Sequence, residues 1–295
     1  SIRRQRQMCI RDRIIPFIIS EILQNKKKIV IALSDNKYLK PFAKTLSAIT
    51  GINNILIFPS WDCFPYSDVS PSNYNINIRF KVLTKILFQN NDNKIIVTNF
   101  KNLTMLLPNK GEVISNCFYL EKNKEYNLKD TINTLSSRGY NHVNLVLEPN
   151  EYAIRGGIID IWPVGEQAPV RLDFFGDTLE SIKLFDPMSQ ISKKEQHSIS
   201  IFQNIEPPLS DTAKNDFISN YRNYFGPSSN KDLFIHQLKE EKKLDGIEHW
   251  MPLFYKKKFI SFFDFFNPEY LIFEHNLLNE LENFYKETID AYSEK

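Results

Sequence analysis

Two patterns of apolar and polar positions divide the chain. Up to about residue 116, compact β-branched runs alternate with segments whose apolar residues recur at helical spacing. The run Lys27–Leu33 is typical of a strand covered on both faces, and Gly51 marks the end of the helix predicted to follow it. Because strands alternate with helices, this part predicts a parallel sheet packed between helices.

Beyond about residue 117 the apolar runs become shorter and turn residues more frequent. A helix is predicted over Leu128–Arg138, closed by Gly139. The other apolar runs are separated by hairpin signals such as Gly176-Asp177, so they predict antiparallel strands and a separate α+β domain. These runs are Leu145–Glu148, Tyr152–Val164, Val170–Phe175 and Thr178–Phe185.

The last third of the chain returns to helical periodicity. Helices are predicted over Asp211–Phe225, Asn230–Lys243 and Asn276–Ser293, and one strand over Glu269–Glu274. Because that strand has no partner within its own segment, we expect it to join the first sheet. The predicted architecture is an α/β domain in two segments, residues 14–116 and 204–295, interrupted by an inserted α+β domain at residues 117–203.

Composition is that of an ordinary globular protein. Of the 295 residues, 42% are hydrophobic and 24% are charged, and the formal net charge is +2. This balance gives no general attraction to nucleic acid, and no apolar run approaches the ~20 residues that span a bilayer. Three separated cysteines without a CxxC pair argue against a disulfide framework or a structural zinc site. They favour a reducing compartment, so we expect a cytoplasmic protein.

The first thirteen residues are set apart from the fold. They are rich in arginine, and the apolar stretch after them is too short for a secretory signal. Met8–Asp12 resembles the translated end of a sequencing-library adapter, so we expect residues 1–13 to be non-native. The alternative is a basic arm that binds nucleic acid. At the other end the pattern stops within a helix, and we expect the chain to be a fragment of a longer protein.

The α/β part raises the question of a nucleotide site. The turn after the first strand, Ser34–Phe42, has no glycine, and GK[ST] occurs nowhere in the chain. A phosphate-binding loop needs glycines for close backbone approach and the Lys-Ser/Thr pair for phosphate and magnesium. No GxGxxG, GxSxG or HExxH motif is present either. We therefore expect no cofactor, no metal and no catalytic residues in this chain.

One strand carries an unusual combination of residues. Alternate side chains of Val170–Phe175 point to opposite faces, so Arg171, Asp173 and Phe175 share a face opposite to three apolar residues. Arginine and aromatic residues are enriched in interface hot spots. Arg155 joins this face if its strand is the direct neighbour, which we expect. The alternative is that Arg171 and Asp173 form a surface ion pair and that Phe175 packs under a loop.

The same region carries a long ordered motif. Its elements are [Tyr/Phe]-Ala-x-Arg-Gly-Gly at Tyr152–Gly157, [Val/Ile]-Asp-Ile-[Phe/Trp]-Pro at Ile159–Pro163, Arg-x-[Asp/Glu]-Phe-Phe-Gly-Asp at Arg171–Asp177, and Phe-Asp-Pro-x-[Ser/Thr]-Gln at Phe185–Gln190. The set is far more specific than any one of its elements. It resembles the signature shared by the bacterial excision-repair protein UvrB and the transcription-repair coupling factor.

Two further segments resemble the coupling factor rather than UvrB. Phe58–Ser72 is similar to its Pro-x-Trp-[Glu/Asp]-x-x-Pro-Tyr segment, where UvrB has a tyrosine-rich hairpin that enters DNA. Asp245–Tyr255 is similar to its Gly-Ile-Glu-[His/Tyr]-Trp-x-Pro-Leu-Phe segment. The resemblance covers roughly Ile14 to the end of the chain. The alternative is a divergent UvrB-like excision-repair subunit that binds DNA and UvrA.

The resemblance implies the N-terminal UvrB-homology module of a coupling factor. This module has a degenerate nucleotide-hydrolase-like lobe with a parallel sheet, and an inserted domain that binds UvrA. In the parent family, further domains bind RNA polymerase and translocate on double-stranded DNA with ATP and magnesium, and they lie outside this chain. The C-terminal part of the parent masks the UvrA-binding surface, so we expect that surface to be open in this chain. The implied role is to link stalled RNA polymerase to nucleotide excision repair.

The resemblance also implies particular site residues. The UvrA-contacting positions of the family correspond to Arg155, Arg171 and Phe175, with Asp173 beside them. Residues 117–203 contain nine Lys and Arg against twelve Asp and Glu, a net charge of −3. An acidic domain with two local arginines suits a protein partner with carboxylates rather than a duplex backbone. Arg171→Glu is expected to abolish UvrA capture without affecting the fold.

Aromatic residues are dense over Phe259–Phe273. A segment of this kind could stack bases, but no basic residues are interleaved after Lys258, so a role in the core or in a seam between the two lobes is favoured. Trp250 and Phe254 are four residues apart and are expected to pack inward together.

Overall fold

A computed structural model describes most of the chain. It covers residues 28–88, 95–115, 117–163, 166–202, 211–226, 235–236, 238, 244–254, 259–274 and 277–293. The N-terminal residues 1–13, a short helix that the sequence predicts over Arg13–Gln24 and most of the helix predicted over Asn230–Lys243 lie outside these ranges.

Helices and strands alternate early in the described ranges, and strands dominate their middle part. None of the described helices is long and apolar enough to cross a membrane. The helices are α1 (Asn36–Thr50), α2 (Asn73–Phe88), α3 (Lys110–Ser115), α4 (Leu128–Ser137), α5 (Asp211–Phe225), α6 (Met251–Phe254), α7 (Phe262–Phe266) and α8 (Leu277–Ser293). The strands are β1 (Ile29–Leu33), β2 (Ile55–Phe58), β3 (Ile95–Asn99), β4 (Leu106–Pro108), β5 (Cys117–Glu121), β6 (Asn141–His142), β7 (Glu151–Arg155), β8 (Ile158–Ile161), β9 (Val170–Phe175), β10 (Thr178–Phe185), β11 (Ser192–Gln196), β12 (Ser198–Phe202), β13 (Phe259–Ser261) and β14 (Tyr270–Phe273).

These elements form two compact units. Unit 1 comprises Ser1–Trp61, Val82–Leu107 and Ile260–Lys295, and unit 2 comprises Asp62–Lys81 and Pro108–Phe259. Each unit is therefore formed by separate stretches of the chain, and one boundary falls within α2. The domain boundaries expected after residues 116 and 203 stay a prediction.

Unit 1 contains a parallel sheet with the strand order β14-β1-β3-β2. β1 and β3 are buried along their whole length, as central strands with helices on both faces must be. Leu39, Ala43 and Leu46 of α1 pack on one side of this sheet. Leu277 of α8 packs with Phe100 and Ala32 on the other. The prediction of an α/β fold with a parallel sheet is confirmed.

The late strand joins the first sheet, as expected from its lack of a local partner. β14 pairs in parallel with β1, and Ile29 lies opposite Tyr270. The carboxylate of Glu274 also accepts a hydrogen bond from the backbone N–H of Ser34 at 3.0 Å. Residues about 240 positions apart in the sequence are thus held in one sheet.

The turn between β1 and α1 is closed by polar side chains. The Asp35 carboxylate accepts a hydrogen bond from the backbone N–H of Lys37 at 3.0 Å, and this bond lowers the pKa of Asp35. Asn36 is tied to Ser60, whose N–H it accepts at 3.0 Å. A carboxylate therefore stands at the N-terminus of α1, the position at which phosphate-binding loops hold their anion. At its other end α1 stops at Gly51, with φ +70°, as predicted.

The core role expected for the aromatic residues of Phe259–Phe273 is confirmed in part: Phe262, Phe265 and Phe266 are buried, whereas Phe263, Tyr270 and Phe273 are exposed. In unit 1, Phe262 and Phe266 of α7 are buried and lie 6.0 and 5.2 Å from the ring centroid of Phe58. In unit 2, Phe254 is buried with its ring centroid 4.6 Å from that of Phe217, and Trp250 packs against the same ring.

Unit 2 contains a six-stranded sheet with the order β11-β10-β9-β8-β7-β6. The apolar side of β9, formed by Val170, Leu172 and Phe174, is buried as predicted. It belongs to one hydrophobic cluster with α4 and with the antiparallel pair β5–β12. The opposite face of the sheet carries the charged residues.

Two expectations for unit 2 are wrong. Leu145–Glu148 is a loop, and its apolar residue Val146 is buried against Ala153 and Phe185 rather than in a strand. The sheet is also not wholly antiparallel, because β6 pairs in parallel with β7. β5, β11 and β12 were not predicted. β11 reads Ser-Lys-Lys-Glu-Gln and is nearly all exposed, which suits a charged edge strand but gives no apolar signal.

Candidate functional site

The charged face of the six-stranded sheet is defined by strand register. Asp160 lies opposite Arg171, and Ile158 lies opposite Asp173, between β8 and β9. Directly paired residues on neighbouring strands point to the same side of a sheet. We use the name charged face for the side that carries Arg155, Ile158, Asp160, Arg171, Asp173 and Phe175.

Two tight hairpins end at the same edge of this face. Gly156 and Gly176, with φ +60° and +61°, occupy the turns after β7 and β9. Glycine adopts these angles at no steric cost. Gly157 has a different reason to be glycine, because a Cβ there would lie 2.5 Å from the carbonyl oxygen of Phe174. The two turns therefore bring Arg155 and Phe175, which precede them, to one edge of the sheet.

Arg171 is held by groups of its own chain. Its Nε and Nη2 donate to the two carboxylate oxygens of Asp160 at 2.7 and 2.8 Å. Its guanidinium lies 4.8 Å from the ring centroid of Phe185, and Nη1 donates to the carbonyl of Gln190 at 3.3 Å. The hydrogen bonds to Asp160 raise the pKa of Arg171. Its planar fork is thus already occupied by a carboxylate that is only 2% exposed.

This geometry corrects two expectations. The alternative in which Arg171 forms a surface pair with Asp173 is wrong, because the ion pair is with Asp160. Arg171→Glu is not a neutral surface change either, since its carboxylate would lie beside that of Asp160. The substitution would alter the stability of the sheet as well as its surface.

Phe175 is the exposed aromatic residue of the charged face. Its side chain is 77% exposed at the last position of β9, so the alternative in which it packs under a loop is wrong. An exposed aromatic ring contributes no burial energy to the fold, whereas a binding partner that covers the ring would remove its apolar surface from water.

Arg155 is on the expected face but not on the expected strand. β7 pairs with β8 and not with β9, so the prediction of direct adjacency is wrong. Arg155 lies opposite Ile158, which lies opposite Asp173, and the three form one row across the sheet. Arg155 is exposed, and its Nη2 donates to the carbonyl of Asn144 at 3.3 Å.

Three residues of this site were missed from the sequence. Asp160 is buried within an apolar strand, and the sequence signal for its role is a lone acid between isoleucines. Phe185 and Gln190 contact the guanidinium of Arg171 from the far end of β10 and the loop after it. Their contribution depends on strand register, which the sequence does not reveal.

Comparison with known proteins gives the region a family. The model of a family described as "UvrB interaction domain" matches residues 118–206, which include the whole charged face. A transcription-repair-coupling factor of Haemophilus influenzae is 30% identical over 281 residues, 94% of this chain and 24% of that protein. The Escherichia coli and Rickettsia bellii proteins of the same name are each 27% identical, over 82% and 93% of this chain. The chain spans about a quarter of the length of these relatives.

The six-stranded sheet and its charged face lie within the residues that match the UvrB interaction domain. Similarity extends far outside that domain, along about nine tenths of the chain. The chain is thus similar, over most of its length, to about a quarter of the length of the transcription-repair-coupling factors it matches.

Proposed function

We propose that this chain recruits UvrA through the charged face and so serves transcription-coupled nucleotide excision repair. In the parent protein this recruitment would link RNA polymerase stalled on DNA to the repair machinery. The observation that carries the proposal is Phe175, a phenylalanine kept 77% exposed at a rigid hairpin. Exposed aromatic residues beside an arginine are typical of the energetic centre of protein interfaces.

The roles within the face differ according to their contacts. Phe175 is suited to fill an apolar pocket of the partner, and Arg155 to pair with an acidic group there. Arg171 is more enclosed, and its side chain is only 21% exposed. Asp173 is half-buried in the row that connects to Arg155. UvrA recognition is thus proposed to depend on Phe175 and Arg155 by direct contact.

A nucleotide-binding role for the α/β unit is not favoured by its strand-to-helix turn. The Asp35 carboxylate occupies the N-terminus of α1 and accepts a hydrogen bond from the backbone N–H of Lys37. A phosphate there would meet like charge instead of open N–H donors. The proposal therefore assigns ATP, magnesium and DNA translocation to other parts of the parent protein, and the absence of a cofactor from this chain remains a prediction.

Capture of UvrA by the immobilised chain tests the proposal. Phe175→Ala and Arg155→Glu are each expected to weaken capture, the first by ~30-fold if Phe175 is a hot spot worth ~2 kcal/mol. Affinity is measured by titrating purified UvrA, with melting temperature as the check on folding.

Matched controls come from α5. Tyr224 is an aromatic residue with the same exposed fraction, 77%, and Arg222 is an exposed arginine two residues away. Tyr224→Ala and Arg222→Glu should leave capture unchanged. If the Phe175 and Tyr224 variants bind UvrA equally well, the charged face is not the recruiting surface.

A further inference from the structure

The loop between β10 and β11 is unusually well ordered for its exposure. The Asp186 carboxylate accepts the backbone N–H groups of Met188 and Ser189 at 3.1 and 3.0 Å. The N–H of Gln190 donates to the Asp186 carbonyl at 2.7 Å, and the N–H of Asp186 donates to the carbonyl of Ile191 at 3.0 Å. These bonds close the loop Asp186–Ile191 on itself.

The loop is fixed to the charged face by two further contacts. Arg171 donates Nη1 to the Gln190 carbonyl at 3.3 Å, and the Gln190 side chain donates to the carbonyl of Val146 at 3.4 Å. Val146 is itself buried against Ala153 and Phe185 on that side of the sheet. The guanidinium therefore connects the sheet, through Asp160, with the loop.

The apolar side chains of this loop face solvent. Met188 is 86% exposed and Ile191 is 64% exposed. Their hydrogen-bonded loop keeps them in place, so a partner that covers them orders little additional chain on binding. Exposed apolar residues that lie together mark interaction sites, whereas apolar residues scattered singly on a surface are ordinary.

The position of the loop favours the same partner as Phe175. Phe175 lies opposite Thr178 at the start of β10, and the loop follows Phe185 at its end, a separation of seven residues or ~23 Å along an extended strand. A standard interface buries ~800 Å² on each partner, which easily spans that distance. A single macromolecular partner on the charged face would therefore meet both Phe175 and the Asp186–Ile191 loop.

We propose that Met188 and Ile191 form a second, apolar contact for UvrA, and that Arg171 is a positioning residue that holds their loop on the charged face. This inference rests on the proposed function. It assigns to Arg171 an indirect role, because Asp160 and Gln190 already engage its guanidinium.

Loss of the two apolar side chains tests the contact. Met188→Ser/Ile191→Ser is expected to weaken UvrA binding by ~10-fold or more, as two central contacts would. Leu278→Ser/Ile289→Ser, which removes two exposed apolar residues of α8, should bind like the wild type. Equal affinities of the two double variants would overturn the proposal. The proposal would also be overturned if sedimentation experiments showed that Met188→Ser/Ile191→Ser loses self-association but not UvrA binding, because the loop would then bind a second copy of the chain.

The positioning role of Arg171 requires a double-mutant cycle. Arg171→Lys keeps the charge beside Asp160 but loses the planar fork. We expect it to weaken UvrA binding in the wild-type background and to have little further effect in the Met188→Ser/Ile191→Ser background. Equal losses in both backgrounds would mean that Arg171 contacts UvrA directly. Melting temperatures of all variants separate these outcomes from unfolding.

Phe175→Ala measured in parallel separates this inference from the proposed function. If Phe175→Ala loses binding and Met188→Ser/Ile191→Ser does not, only the second contact is refuted. If the wild-type chain does not bind UvrA, or binds it equally well without Phe175, the proposed function itself is wrong.

Discussion

Asp160 and Arg171 form a largely buried ion pair between neighbouring strands of the six-stranded sheet. Asp160 is 2% exposed and receives two hydrogen bonds from the arginine. A carboxylate taken out of water is tolerated only with such compensation, so each partner requires the other. The consequence is that substitutions of Arg171 mix effects on stability with effects on recognition.

Asp160→Ala is therefore expected to lower the free energy of unfolding by ~3 kcal/mol, because it leaves the enclosed guanidinium without its carboxylate. Asp173→Asn, on the same face but only half-buried, should change it by less than ~0.5 kcal/mol. Urea denaturation followed by circular dichroism measures both. Similar stabilities of the two variants would mean that the pair contributes little.

At the scale of elements, two hairpins and one loop determine what the charged face presents. The hairpin β7–β8 depends on two glycines. Gly156 adopts the positive φ angle of the turn, and Gly157 has no side chain to collide with the backbone of Phe174. The Asp186–Ile191 loop depends on a carboxylate that bonds within it and to Lys193. The hairpin and the loop are stabilised by different interactions, so each can be tested by its own substitution.

Gly157→Ala should destabilise the sheet more than Gly156→Ala does. At Gly156 the cost is the left-handed backbone alone, ~1–2 kcal/mol, and the space is open. At Gly157 the new methyl group meets backbone 2.5 Å away and forces β8 and β9 apart. Hydrogen exchange of the β8 and β9 amides measures the difference. Faster exchange in the Gly156 variant than in the Gly157 variant would contradict this account.

Acid should release the Asp186–Ile191 loop only at low pH. The hydrogen bond from Lys193, followed by that from the Ser189 N–H, lowers the pKa of Asp186 well below its ordinary value. A group whose pKa is lower in the folded than in the unfolded state stabilises the fold at pH values above its unfolded pKa of ~3.9. This stabilisation is lost as the pH falls toward the folded-state pKa. The difference in melting temperature between the wild type and Asp186→Asn should stay constant from ~pH 5 to ~pH 8 and shrink below ~pH 4. A difference that grows in acid would contradict this sign.

At the scale of the whole molecule, the six-stranded sheet depends on residues far from it in sequence. Ile76 and Phe80 of α2 are buried in the same hydrophobic cluster as the apolar side of β9. Residues 117–203, expected from the sequence to be a separate domain, are therefore completed by a helix that lies well upstream in the chain.

Ile76→Ala should accordingly destabilise the six-stranded sheet by ~2–5 kcal/mol, as the removal of a buried aliphatic side chain does. The Ile114→Ala variant, which truncates an exposed residue, is the control. Amide exchange in β9 and β10 is the measurement. Unchanged protection there in Ile76→Ala would show that the sheet folds without α2.

The sequence predicted what depends on periodicity and missed what depends on register. The buried faces of β1 and β9 and the return of Tyr270–Phe273 to the first sheet followed from local patterns. The pairing of Arg171 with Asp160 did not, because a shift of one residue would have exchanged the faces of β8. The strand expected over Leu145–Glu148 is wrong because three consecutive apolar residues resemble a short strand even where a loop packs only Val146 on the sheet.

The parallel sheet also has a consequence for synthesis of the protein. β1 pairs with β14, whose residues follow it by about 240 positions, so the chain between them must emerge from the ribosome first. Until then one edge of β1 lacks its strand, and such an edge is prone to pair with other chains. The charged face, by contrast, is complete once β11 has been made. The nascent chain should therefore form the six-stranded sheet before the sheet of unit 1 closes, reversing the usual order in which domains fold from the N-terminus.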